Sequence, residues 1–203
     1  AEQVANHEVS VVIIYIGAND FSPYITHDGY EAIYNEQLTQ AQIERKMNRF
    51  IADVTTAIDV IQQAGDVQIV LVLVPDWGNH IGVKLAFPLP YKRILVTQVI
   101  NETNHRLAKV ATERNIPTAN PNTFLSELTK ETPSGKPIIG GTNLEFLYLN
   151  NNPENVFLND GVHTGTAMNG LFLNYLLERL NPYLKNPINP LSNTEIHKIA
   201  GLD

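Results

Sequence analysis

Cysteine is absent from the 203 residues of this chain. The absence excludes disulfide bridges, a thiolate nucleophile and any metal site built on cysteine. It does not decide the compartment, because many secreted bacterial proteins also lack cysteine. We leave the location open, with a slight preference for a secreted or periplasmic one.

Positive charge and long apolar runs are also scarce. Lys and Arg number 14 against 21 Asp and Glu, which gives a formal net charge of −7, and the basic residues are scattered. Such a chain is a poor partner for nucleic acid or an anionic membrane surface. No apolar run reaches the roughly 20 residues that span a bilayer, so we expect no membrane span. Asp76 and His80 share one loop, but two potential ligands are poor evidence for a metal. We predict neither a metal nor an organic cofactor.

Strands and helices alternate along the chain. Residues 9–16 and 67–74 are almost wholly apolar and β-branched, which predicts strands buried on both faces of a parallel sheet. Residues 116–119 predict a short third strand. Apolar residues recur at a helical period over 39–64, 91–114 and 164–180. The inward positions predicted for the second helix are Ile94, Leu95, Val99, Leu107 and Val110.

This order of elements indicates an α/β fold, with three layers and a doubly wound parallel sheet. We assign residues 1–185 to one α/β domain and 186–203 to a Pro- and Asn-rich tail with a short helix at about 194–200. Residues 21–38, 75–90 and 132–159 are expected to be loops, the last with a small hairpin around Gly140 and Gly141. Ligands of such sheets bind beyond the carboxyl ends of the strands.

Two short motifs carry the chemical information. Gly17-Ala18-Asn19-Asp20 follows the first predicted strand, and Asp160-Gly161-Val162-His163 precedes the last long helix. Each has a plain alternative, since Gly, Asn and Asp are common in turns and an Asp before a helix can be a cap. Together they supply an amide that can stabilise an oxyanion, an imidazole that can act as a base, and a carboxylate that can orient it.

The two motifs resemble those of the SGNH (GDSL-type) hydrolases, a family of esterases and lipases with a flavodoxin-like fold. The resemblance covers about residues 9–180. It implies that Asn19 donates to the oxyanion, that His163 is the general base and that Asp160 orients it. Gly17 and Asp20 would support the turn that carries Asn19. It also implies that Asp160 hydrogen-bonds His163, with Asn19 within about 10 Å of the imidazole.

The family's Gly-Asp-Ser block, which carries the nucleophile, has no counterpart here. It should precede the first motif, where only sixteen residues stand. The serines, none of them in that block, are Ser10, Ser22, Ser126, Ser134 and Ser192. We therefore expect this chain to be the C-terminal part of a hydrolase, incomplete on its N-terminal side. The open side of the first strand should then be covered by an N-terminal fragment of the same protein or by a neighbouring copy.

The predicted function is ester hydrolysis by a Ser-His-Asp mechanism, with the serine supplied from outside this chain and the chain alone inactive. Loops carrying Tyr24 and Trp77 would line the cleft. Their mixture of aromatic and polar residues favours a small-molecule or carbohydrate ester slightly over a long lipid ester. The alternative is a non-catalytic interaction or structural domain of the same fold.

Overall fold

The computed structural model describes residues 1–24, 27–130, 132, 134–147 and 150–202. They form a mixed α/β protein with two compact units, Ala1–Asn120 and Pro121–Asp203. The elements of the first unit are α1 (Glu2–Ala5), β1 (Val11–Tyr15), a 3-10 turn (Asn19–Phe21), a turn kinked at Gly29 (His27–Glu31), α2 (Ala32–Tyr34), α3 (Gln40–Ala64), β2 (Gln68–Val72), α4 (Ile81–Ala86), α5 (Pro90–Glu113) and β3 (Thr118–Ala119). Those of the second unit are α6 (Pro121–Lys130), β4 (Ile138–Ile139), β5 (Thr142–Asn143), α7 (Thr166–Leu180), a 3-10 turn (Asn181–Tyr183) and α8 (Asn193–Ala200).

The first unit is built on a three-stranded parallel sheet in the order β1-β2-β3. β1 pairs with β2 from Val11 opposite Gln68 to Tyr15 opposite Val72, and β3 lies on the other side of β2. The central strand is buried apart from half-buried Gln68, as its unbroken apolar run predicts. The α/β class and the parallel sheet are confirmed.

The prediction that the first strand is buried on both faces is wrong. Ile14 is buried, but Ile13, Tyr15 and Ile16 are each about half exposed. Ile13 and Tyr15 project from one face, because side chains alternate along a strand. In the part of the chain that the structure describes, β1 pairs with β2 alone. It is therefore an edge strand whose other side has no ladder partner there.

The helix α3 agrees with the sequence pattern. Thr39 caps its first turn: the hydroxyl accepts the backbone N–H of Gln42, whose side chain accepts the N–H of Thr39. Gly65 follows its last residue. Its buried positions, which are all apolar and three or four residues apart, are Met47, Phe50, Val54 and Ile58.

The inward face predicted for α5 is wrong in part. Ile94 is about half exposed, and the buried stripe is Val96, Ile100, Thr103, Asn104, Leu107 and Ala111. The prediction followed the most apolar positions, whereas this stripe includes Thr103 and Asn104, whose polar groups find partners. The hydroxyl of Thr103 donates to the carbonyl of Val99 at 2.8 Å.

The described residues of the span 21–38 hold more regular structure than the predicted loop. They include the turn kinked at Gly29 and α2, and Tyr30, Ile33 and Tyr34 are buried. Tyr30 and Tyr34 pack on Phe87, with ring centroids 4.8 and 5.0 Å away. The packing of Tyr30 and Tyr34 on Phe87 joins residues far apart in the sequence. No helical or strand periodicity within the segment predicts it.

In the second unit the hairpin, the last long helix and the tail helix form as predicted. β4 and β5 pair antiparallel around Gly140 and Gly141, both of which have positive φ, as a two-residue hairpin turn requires. The tail packs within this unit, since Asn174 of α7 bonds the backbone of Leu191 in both directions. The second compact unit thus includes residues 186–203, which were predicted to form a separate tail because of their Pro and Asn content. None of the helices in the described ranges is both long and apolar enough to cross a membrane.

Candidate active site

The Asp160–His163 turn forms the hydrogen bond that the sequence predicts. Oδ2 of Asp160 lies 2.6 Å from Nδ1 of His163. Oδ1 accepts the backbone N–H groups of Val162, at 2.8 Å, and of His163, at 2.9 Å. Gly161 has a φ of 68°, a left-handed conformation that glycine adopts without strain. One carboxylate therefore fixes both the backbone of the turn and the imidazole ring.

The electrostatics of this pair favour a charged Asp160, and the exposure of His163 leaves its imidazole accessible. The hydrogen bond from His163, with smaller contributions from the two backbone N–H groups, lowers the pKa of Asp160 to about 2. The side chain of His163 is 76% exposed and that of Asp160 43%. Because Nδ1 faces the carboxylate, Nε2 is the nitrogen that can take a proton from a hydroxyl.

The junction between this turn and α7 is tightly built. Gly165 precedes the first residue of the helix, and a Cβ there would lie 2.8 Å from the carbonyl oxygen of Asn155. Asn155 is buried and its amide donates to Asn150. Asn169 of α7 donates to the carbonyl of Thr164 at 3.2 Å. These contacts fix the backbone between the Asp160–His163 turn and α7, and with it the position from which the imidazole projects.

The Asn19 turn belongs to the other unit and leaves β1 at its carboxyl end. Gly17 has a φ of 96°, and a Cβ there would lie 2.3 Å from Cζ of Phe50. Phe21 is fully buried and meets Phe50 edge to face at 6.0 Å. Asn19 and Asp20 are exposed. Gly17 and Phe21 anchor the turn and leave the two polar residues at the surface, while the distance from Asn19 to His163 stays a prediction.

The two aromatic residues predicted to line a cleft differ in exposure. Tyr24 is 51% exposed and Trp77 is 5% exposed, with ring centroids 6.0 Å apart. The indole N–H of Trp77 donates to the carbonyl of Ala18 at 2.8 Å. Tyr24 is thus half exposed, whereas Trp77 is packed against the Asn19 turn.

The segment that carries Trp77 is fixed by two contacts from α5 that the sequence reasoning missed. Asn104 is buried and bonds both backbone groups of Val74, accepting its N–H and donating to its carbonyl, each at 2.8 Å. The carboxylate of Asp76 accepts the hydroxyl of Thr97 at 2.8 Å and the N–H of Gly78 at 2.9 Å. A polar residue at a helical position that faces the core is the signal that could have revealed Asn104.

No family model, curated protein or solved structure matches this chain.

Several of the described serines make local hydrogen bonds. Ser192 caps α8, Ser126 bonds its own helix, and Ser134 bonds the hairpin that follows it. Ser22 is buried, and Ser10 stands before β1, at the opposite end of the strand from Asn19. Within the described ranges, no three His, Asp or Glu side chains are grouped to hold a metal.

Proposed function

We propose that this chain supplies the acid–base half of a serine ester hydrolase. In this proposal His163 is the general base, Asp160 orients it, and Asn19 donates a side-chain N–H to the oxyanion. The observation that carries it is the 2.6 Å contact between Asp160 and Nδ1 of an imidazole that is 76% exposed. Because Nδ1 faces the carboxylate and the ring is exposed, Nε2 is accessible to a reactant.

The chemistry assigns each group a separate task. Nε2 of His163 takes the proton of a serine hydroxyl as the oxygen attacks the ester carbonyl, and later returns it to the leaving alcohol. Asp160 keeps the proton of the neutral ring on Nδ1 and stabilises the imidazolium. Asn19 stabilises the negative oxygen of the tetrahedral intermediate. The resemblance to SGNH hydrolases assigns these same roles.

We further propose that the nucleophilic serine lies on polypeptide outside these 203 residues, on a strand beside β1. The support is that β1 pairs with β2 alone among the described strands and that Ile13 is about half exposed. A strand added there would extend the sheet toward the three-layer, doubly wound fold of the family. In parallel register its carboxyl end would lie beside Gly17, where a following serine could approach Asn19.

The substrate in this proposal is a small acyl ester, on a small molecule or a carbohydrate rather than on a long lipid. Tyr24, half exposed beside the Asn19 turn, offers an aromatic face of the kind that stacks on a sugar ring. The net charge of −7 does not favour an acidic substrate.

The test labels the nucleophile in the protein expressed from its complete gene. A fluorophosphonate probe reacts with an activated serine, and peptide mapping then locates the label. We expect the label outside residues 1–203, with hydrolysis of p-nitrophenyl acetate lost by about 10³-fold or more in His163→Ala. The control is His105→Ala, which removes an exposed imidazole of α5. Asn19→Ala should lower kcat by about 10²–10³.

Each other outcome is informative. A label on one of the five serines within the chain would refute the external nucleophile and keep His163 as base. Activity that ignores His163→Ala would refute the assignment of the base. No label and no turnover of any ester would favour the non-catalytic domain.

A further inference from the structure

We infer that Trp77 is a positioning residue: its indole N–H orients the peptide that carries Asn19. The catalytic consequence rests on the proposed function, but the positioning itself does not. The contact joins residues 59 positions apart, since Nε1 of Trp77 donates to the carbonyl oxygen of Ala18 at 2.8 Å. Trp77 is 5% exposed, so water competes weakly for this donor.

The planarity of the peptide unit makes the contact directional. The carbonyl of Ala18 and the N–H of Asn19 belong to one rigid plane and point in opposite directions. A donor that fixes the carbonyl therefore fixes the direction of the following N–H and the position of the Asn19 Cα. The same carbonyl accepts the backbone N–H of Phe21 at 3.4 Å, which is a long bond. The indole supplies the shorter of these two contacts.

The segment that carries Trp77 is held by α5, and its indole has an aromatic neighbour. Its neighbour Asp76 is tied to Thr97 of α5, and a Cβ on Gly78 would lie 2.2 Å from the hydroxyl of Thr97. The ring of His80 lies 5.1 Å from the indole. Such support is what an oxyanion donor needs, because stabilisation of a developing charge depends on donors that are oriented before the reaction begins.

The experiment exploits the fact that the chain has one tryptophan. Biosynthetic replacement of tryptophan by β-(3-benzothienyl)alanine changes N–H to sulfur at this single site and keeps the ring shape. Hydrogen exchange then reports the backbone N–H groups of Asp20, Phe21 and Ser22, all of which are bonded within the turn. We expect their exchange to accelerate by about 2- to 10-fold, the equivalent of one hydrogen bond, with the amides of β2 unchanged. The matched control is 5-fluorotryptophan, which retains the N–H donor.

In the complete active protein, the same replacement made site-specifically at Trp77 alone should lower kcat for p-nitrophenyl acetate and leave KM unchanged, with 5-fluorotryptophan at the same site restoring kcat. Unchanged exchange at the three turn amides would overturn the inference, even in an active hydrolase. A uniform acceleration that includes β2 would also overturn it, because that would mean general destabilisation. Faster exchange of the turn in a protein without esterase activity would keep the positioning role and refute the proposed function.

Discussion

Replacement of Asp160 by asparagine separates the two tasks of its carboxylate. Oδ1 accepts two backbone N–H groups, and the amide oxygen of asparagine can retain both. Oδ2 faces Nδ1 of His163 at 2.6 Å, where the amide of asparagine would place a donor instead. We therefore expect Asp160→Asn to keep the turn and to move the ring proton of neutral His163 from Nδ1 to Nε2.

The expected loss of stability follows from the pKa of Asp160. Its lowering from 3.8 to about 2 corresponds to about 2.4 kcal/mol at full strength. The side chain is 43% exposed, and screening by solvent reduces this to about 1 kcal/mol. Because the pKa is depressed in the folded state, the contribution is present above about pH 4 and is lost as the pH falls toward 2. Asp160→Asn should thus lower the free energy of unfolding by about 1 kcal/mol at pH 7 and by almost nothing near pH 2.

The assay combines nitrogen-15 NMR of the imidazole with urea unfolding at several pH values. In the complete protein the wrong tautomer should lower kcat by about 10⁴. Asp66→Asn is the matched control, because that carboxylate is exposed and lies before β2. If His163 kept its proton on Nδ1 in Asp160→Asn, the reasoning about the carboxylate would be refuted.

Two further predictions concern the first unit and its controls. Gly17→Ala should cost about 1–2 kcal/mol of free energy of unfolding for its left-handed backbone and about 1–3 more for the clash with Phe50. Gly141→Ala, at a similar φ of 91° but with nothing within 4 Å of the added Cβ, should show only the first cost in urea unfolding; equal costs would contradict the clash. The isolated chain should self-associate through β1, and sedimentation velocity should show Ile13→Lys reducing this association. Leu85→Lys, at an exposed position of α4, should have no such effect, and a wild-type chain that stays monomeric would contradict the prediction.

The sequence predicts best the features whose determinants are local. Thr39 and Gln42 stand three residues apart and define where α3 begins, and Ser192 with Glu195 does the same for α8. Asp160 and His163 are also three residues apart, and the resemblance of their motif to that of the SGNH hydrolases predicted the contact that the structure shows. Residue type and short separation were sufficient for the two helix caps.

The features that the sequence did not reveal depend on distant partners. Nothing near Trp77 in the chain indicates that its indole meets Ala18, 59 residues earlier. The exposure of Ile13 likewise could not be predicted from the sequence, because a central strand and an edge strand can have the same apolar run. Burial depends on what lies beside a strand, and this is decided by tertiary packing.

The spacing of Thr97 and Asn104 has a consequence for how the first unit responds to change. Seven residues are two helical turns, so both side chains lie on one stripe of α5. They hydrogen-bond Asp76 and Val74, in the segment that follows β2. Two hydrogen bonds from one stripe fix the rotation of α5 about its own axis relative to that segment. A partner or substitution that rotated α5 would therefore displace Trp77, whose indole bonds the Asn19 turn. The reactivity of that turn would then depend on the rotation of the helix.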